Sequence, residues 1–307
     1  MSEKPAMVPP PAPQQWRSAQ AWPPRRSTGR VRSGRATMIV CSAVLVAVGL
    51  YALVVPLMST VDPRVVDLDA YLQPPTADHL MGTDLLGRDL LVRCAQGIRV
   101  SLMIAALAAI VSTVIGAVIG SVSAALGGWT DRVVMRLVDA TNALPHLLLG
   151  VVIVSLWRGQ WWAIIASIGL THWTQVARIV RSELLSVRTR EHVVASVAAG
   201  ASRVQVWCTH LLPVVVPQAL IAVVLLLPHA IWHESALSFL GVGLQPNDPS
   251  LGTLLQDARS GIMAGGWWLL AFPAALLTGT CLAIAGIGGR LARAALPKSS
   301  IEERMTR

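Results

Sequence analysis

The sequence predicts an all-α integral membrane protein with six transmembrane helices, on three observations. The 307-residue chain is 54% hydrophobic and only 13% charged, where a soluble domain carries about 25% charged residues; its mean hydropathy is +0.59. Six apolar runs, near 38–58, 100–126, 138–157, 161–177, 211–232 and 266–289, approach the roughly 20 residues that a hydrocarbon core of about 30 Å requires. All 23 arginines fall outside these runs, as expected if one arginine at a helix centre costs about 2.5–3.5 kcal/mol.

Residues 1–37 hold seven prolines and six arginines. Such a segment buries too little apolar surface to fold and reads as a disordered, basic cytoplasmic tail, with Trp16, Trp22 and the arginines available to lipid. The run at 38–58 is a full span with no small-x-small cleavage site after Met58, so it reads as a retained anchor and not a signal peptide. In the second span Ser112, Gly116, Gly120, Ala124 and Gly128 recur every fourth residue. That spacing leaves one helix face nearly bare, a seam for close approach of another helix. The third span contains Asp139, Pro145 and His146; the fourth is short and opens on Trp161–Trp162. Residues 298–307 form a second tail.

Orientation follows arginine placement. The N-terminal tail, the five arginines of 178–210 and the basic C-terminal tail fall on one side after six crossings, while 59–89 carries six aspartates on the other. Both termini are therefore expected in the cytoplasm, with 60–97 and 234–260 outside.

Several function classes are excluded. The net charge of +9 does not point to nucleic acid, because the charges flank apolar runs without a basic face of interleaved stacking aromatics. Cys41, Cys94, Cys208 and Cys281 show no metal-ligand spacing. The only lysines are Lys4 and Lys298, and neither lies in the G-x-x-x-x-G-K context of a phosphate-cradling loop. No HExxH, GxSxG or paired intramembrane aspartates suggest an enzyme. A stand-alone secondary transporter or channel is the alternative, but it predicts internal repeats or intramembrane charges for ion coupling, and neither is evident.

The polar, arginine-bearing stretch 187–213, VRTREHVVASVAAGASRVQVWCTHLLP, lies between two apolar runs. Its Ala195–Ser196, Gly200–Ala201 and Leu212–Pro213 follow the spacing of the EAA loop, which resembles that of membrane subunits of ATP-binding-cassette importers. Three further stretches resemble the dipeptide/oligopeptide/nickel branch of that family: LQPPTADHLMGTDLLGRDLLVR (72–93), ARIVRSELLSVRTRE (177–191) and ESALSFLGVGLQPNDPSLGTLL (234–255). The resemblance implies a type I importer permease domain over 38–297, with 187–213 as the loop that couples to the ATPases. It implies two ABC ATPase subunits or domains carrying the ATP and Mg, and no cofactor on this chain. It also implies a second related permease subunit, an extracytoplasmic substrate-binding protein, and the plasma (inner) membrane of a prokaryote.

The chain departs from the family pattern at Val194, where the loop glutamate is usual, and at Ser196 and Gly289. Gly200 tolerates the positive φ of a sharp helix–turn–helix corner, and Ser202 is placed to cap the following helix. His229-x-x-x-His233 puts two imidazoles one turn apart on a helix face. Imidazole suits nickel, copper and zinc. Together with THW (171–173) and VVAS (193–196), the pair resembles nickel permeases, and the expectation is a transient metal station. Glu234 at the outer edge of the fifth span, and Asp139 and His146 in the third, are candidate pathway residues, because an ionisable group at membrane depth is costly. Substrate is left as nickel, a metal chelate, or di- and oligopeptides.

Overall fold

The computed structural model describes residues 30–59, 62, 65–245 and 247–295. Residues 1–29 of the expected tail and all of 298–307 lie outside the described residues. From Thr37 onward the described residues form one compact unit. It is all-helical: among the described residues the only β-type pairings are the isolated bridges Thr83–Asp89 and Gly159–Leu244.

Helix α1 is Arg30–Met58, α2 Leu90–Leu126, α3 Gly128–Asn142, α4 His146–Ser155 and α5 Trp161–Arg188. Two short helices, α6 (Glu191–Ala198) and α7 (Arg203–Val206), lead through a π-helical turn at Trp207–Leu211 into α8 (Leu212–Phe239). α9 (Leu251–Met263) and α10 (Trp268–Ala295) are the last helices among the described residues. Helix α1 thus starts at Arg30, ahead of the expected 38.

By length and apolarity four helices qualify as spans: Arg35–Met58, Leu90–Leu126, Val204–Phe239 and Trp268–Ala294. A fifth is reached only if α3 and α4 count as one. The expected single span 138–157 is therefore corrected to two helices, bent by 83° at a break before His146. Pro145 causes the break: it has no N–H to donate and disfavours helical geometry in the residue before it. The ten residues of α4 cover about 15 Å, half a hydrocarbon core. The expected fourth span, α5, is long enough at 28 residues. Thr171, His172, Thr174, Gln175 and the arginines beyond them hold its hydropathy below that of a membrane helix, so the count of six is not reached on this measure.

The π-turn has a local reason. Pro213 and Pro217 stand at the start of α8 and supply no N–H to the preceding turn, and the Leu212 N–H reaches back five residues to the Trp207 carbonyl. Such one-residue slips in hydrogen-bond register are the usual form of π-bulges.

Four members of the small-residue stripe, Ser112, Gly116, Gly120 and Ala124, are buried on α2 and make the tightest seam. The fifth, Gly128, is corrected to the first residue of α3, where a Cβ would meet nothing within 4 Å. A Cβ on Gly116 would sit 2.5 Å from the Trp173 carbonyl oxygen, and one on Gly120 would sit 2.4 Å from that of Ala177. The α2 and α5 backbones touch there. The core continues through Ile104, Ala108, Ile164, Ile168, Ile231 and Leu237, where α2, α5 and α8 meet.

Two of the signature stretches prove to be knots that hold helix ends. In 72–93 the buried Thr83 hydroxyl donates to the Ala70 carbonyl at 2.5 Å and accepts from the Gln73 N–H at 2.8 Å. Asp84 Oδ1 accepts the Leu86 and Arg88 N–H groups. Its Oδ2 accepts Arg88 Nε at 2.7 Å and Arg93 Nη1 at 2.5 Å. Arg93 Nη2 continues to Asp257 on α9 at 3.2 Å. Burial pushes the Asp257 carboxyl up to about 6, with Asp84 adding to the rise and Arg88 opposing it. Asp89 caps α2 by accepting from the Leu91 and Val92 N–H groups. Gly87 is obligatory, because a Cβ there would lie 1.6 Å from the Asp67 carbonyl oxygen.

Candidate functional site

The segment 187–213 folds as a helix–turn–helix at one end of the bundle. Gly200 ends the α6 turn with φ +89°, in the left-handed region where only glycine escapes the Cβ penalty. The Ser202 hydroxyl accepts the Gln205 N–H at 3.2 Å, capping α7. Buried Val193, Val206 and Leu211 anchor the segment to the core cluster of Val180, Leu184 and Val187 on α5. Arg188 Nη1 donates to the Ala124 carbonyl at the end of α2. On the outer side Val194 and Val197 are 55% and 57% exposed. Ala195 is exposed and Ser196 half-buried; Ala201 is half-buried, and Leu212 and Pro213 are exposed at the start of α8. The segment is therefore bolted to α2, α5 and α8 on one face and presents apolar side chains on the other. The position lacking the usual glutamate, Val194, is part of that apolar surface.

The histidines converge elsewhere. His229 and His233 lie on one face of α8 with ring centroids 5.9 Å apart. His172, from the middle of α5, lies 4.6 Å from His233 and 5.6 Å from His229 by ring centroids. His146, the first residue of α4, stands edge-on to His172 at 5.2 Å, so the break at Pro145 delivers a fourth imidazole. His172 is the member that no spacing in the sequence singles out. The THW stretch was its only signal, since a lone histidine in an apolar run has no periodic partner in its own helix.

The other candidate pathway residues separate from this cluster. Glu234 is 0% exposed. Its Oε2 accepts the Ser101 hydroxyl at 2.7 Å and the Ser235 hydroxyl at 3.3 Å, and its Oε1 accepts the Ser238 hydroxyl at 3.0 Å. Ser101 in turn accepts the Leu251 N–H at 3.1 Å, so this carboxyl ties α2, α8 and the start of α9 together. Asp139 is exposed on α3 and pairs with Arg178 at 3.0 Å, next to the Arg181–Asp131 pair. It lies on the far side of the Pro145 break from His146 in the chain.

The described residues thus form a helical bundle with spans long enough for a membrane and a helix–turn–helix leading into α8, and the comparisons with known proteins assign this bundle to the membrane transport components. Residues 112–295 match the family described as binding-protein-dependent transport system inner membrane component. The chain is 37% identical over 276 residues to the oligopeptide transport system permease protein OppC of Escherichia coli (strain K12), covering 89% of this chain and 90% of that one. It is 36% identical over 225 residues to the dipeptide transport system permease protein DppC of Bacillus subtilis (strain 168), covering 73% and 70%. With OppC of the same B. subtilis strain the identity is 34% over 269 residues, 88% of each chain. The chain thus belongs to the family of binding-protein-dependent transport system inner membrane components. It is an integral membrane protein of a prokaryotic inner membrane and a permease of the ATP-binding-cassette importer type, which sets aside the stand-alone transporter or channel.

Proposed function

We propose that this chain is one half of the translocation pathway of a peptide importer, with 187–213 seated on a partner ATPase and both termini in the cytoplasm. The observation that carries the reading is the two-faced coupling segment. Val194 and Val197 face outward, beside a turn that Gly200 makes without Cβ strain, while Val193, Val206 and Arg188 fasten the same segment to α2 and α5. Closure of two ATPases would push on the exposed valines, and rigid side-chain contacts would pass that displacement to the span helices. ATP and Mg would be held by those partner subunits, and a binding protein would deliver substrate to the other side. A second related permease would complete the pathway. Peptide as substrate class is supported by the relatives named above, which are dipeptide and oligopeptide permeases.

The test is Gly200→Val. A Cβ at Gly200 meets nothing within 4 Å, so the substitution acts through backbone strain alone. That strain is about 1–2 kcal/mol for a left-handed L-residue and more for a β-branched one. The variant is expected to insert and fold but to lose substrate-stimulated ATP hydrolysis in the assembled transporter, whereas Gly200→Asn retains most of it. Wild-type stimulation in Gly200→Val would sink the coupling role.

Orientation is tested separately. Thr76 and Ser186 are both exposed. In a background lacking the four native cysteines, Thr76→Cys is expected to react with an impermeant thiol reagent added from outside, and Ser186→Cys only after permeabilisation. The reverse pattern overturns the orientation.

A further inference from the structure

We propose that His172, His229 and His233 form a binding site for a divalent first-row transition-metal ion within the helical bundle, leaving coordination positions open for donors carried by the cargo. Only the purpose of the site rests on the permease reading; the binding does not. One ring nitrogen from each histidine lies within 4.8 Å of those of the other two. His172 and His233 are 1% and 5% exposed, and His229 is exposed, so the site has two fixed walls and one accessible side.

His172 is held in the state a metal ligand needs. Its Nδ1 faces the Ile168 carbonyl at 3.2 Å and the Thr171 Oγ1 at 2.8 Å. The Thr171 hydroxyl proton is already directed to the Ser167 and Ile168 carbonyls, at 2.9 and 3.2 Å. Both oxygens facing Nδ1 therefore act as acceptors, which places the proton on Nδ1 and a bare lone pair on Nε2. The same carbonyl–imidazole bond orients metal-bound histidines generally. The Nε2 atom is buried and has no hydrogen-bond partner among the described residues. An unpaired buried acceptor costs about 1–3 kcal/mol, and a bound cation removes that cost.

The donor set selects the metal. All three donors are imidazoles, and the neighbouring carboxylate of Glu234 is occupied by the hydroxyls of Ser101, Ser235 and Ser238. An imidazole site without carboxylate favours Ni²⁺, Cu²⁺ or Zn²⁺ over Mg²⁺ or Ca²⁺. Metal–nitrogen bonds of about 2.1 Å keep two donors on one ion within about 4.2 Å of each other. Rings at the 4.8 Å limit must close in, and exposed His229 is the one free to do so. Three protein ligands leave one position of a tetrahedron or three of an octahedron for water, or for the amine, carboxylate and amide groups of a short peptide. His146 stands as the nearest fourth imidazole.

The experiment uses the full chain without a polyhistidine tag, purified into lipid nanodiscs. Cys208→Ser and His210→Gln remove the competing donors of the exposed thiol and of the His192–His210 pair. Ni²⁺ is titrated calorimetrically, alone and as its diglycine complex, and the bound ion is examined by X-ray absorption. Expected are one ion per chain, imidazole scattering, and affinity at least about tenfold weaker in each of His172→Gln, His229→Gln and His233→Gln. Preference for the aquo ion or for the diglycine complex supports the site either way and identifies the form that loads it. His172 is buried, so His172→Gln is judged only alongside an unchanged elution profile; His229→Gln, at an exposed position, carries no such risk. No saturable binding up to millimolar Ni²⁺, or unchanged affinity in both His229→Gln and His233→Gln, overturns the proposal. These readouts need no ATPase, so they stand or fall independently of the Gly200 test.

Discussion

Gly120→Leu is expected to abolish stable folding of the bundle. The α2 and α5 backbones are in contact at this point: a Cβ would lie 2.4 Å from the Ala177 carbonyl oxygen and 3.0 Å from its Cα. Both atoms belong to a helix backbone and cannot rotate away, so any side chain forces the helices apart along the seam. Overpacking usually costs about 1–3 kcal/mol, and with no yielding partner the cost should lie at or above the top of that range. The measurement is the yield of monodisperse chain in detergent and its thermal unfolding. Gly120→Ala should give an intermediate loss, and Gly279→Leu, where a Cβ meets nothing within 4 Å, should be tolerated. A Gly120→Leu midpoint within about 2 °C of wild type would mean that the seam opens freely.

Arg93→Met is the second large effect expected. Arg93 is 1% exposed and bridges Asp84 to Asp257. Its removal leaves two carboxylates facing Arg88 alone, which pairs with Asp84 at 2.7 Å and with Asp257 at 3.5 Å. Breaking a buried pair from one side costs about 3–5 kcal/mol, because the remaining charge stays desolvated. Asp257→Asn in the same chain should restore part of the loss, since it removes the carboxylate that Arg93 no longer balances. A double-mutant cycle on thermal stability measures that coupling; strict additivity would show that the two groups act independently.

Both effects were legible in the sequence to different degrees. The four-residue recurrence from Ser112 to Ala124 marks a helix seam, because small residues at that spacing fall on one face of a continuous helix; Gly128 keeps the interval but lies past the end of α2. The recurrence does not say which helix fills the seam. The GTDLLGRD stretch was recognisable as a signature, yet its physical content appeared only in three dimensions. Asp84 and Arg88 are near neighbours in the chain, whereas Asp257 comes from α9, and nothing in the periodicity of either segment names the other. The third span failed for a local reason. Its apolar content suggested one helix, but Pro145 stops the hydrogen-bond ladder and leaves α4 at half the length of a crossing.

Membrane character, the helix type of the elements, the left-handed turn at Gly200 and the shared face of His229 and His233 are all readable from the residues alone. These depend on composition and on intervals of a few residues within one helix. Helix packing is what brings His172 from α5 and His146 from α4 to that pair, and what encloses Glu234 among hydroxyls from α2 and α8. Long-range neighbours follow from how helices pack and where Pro145 bends the chain. A buried carboxylate and a solvated one are the same letter until the surrounding helices are in place.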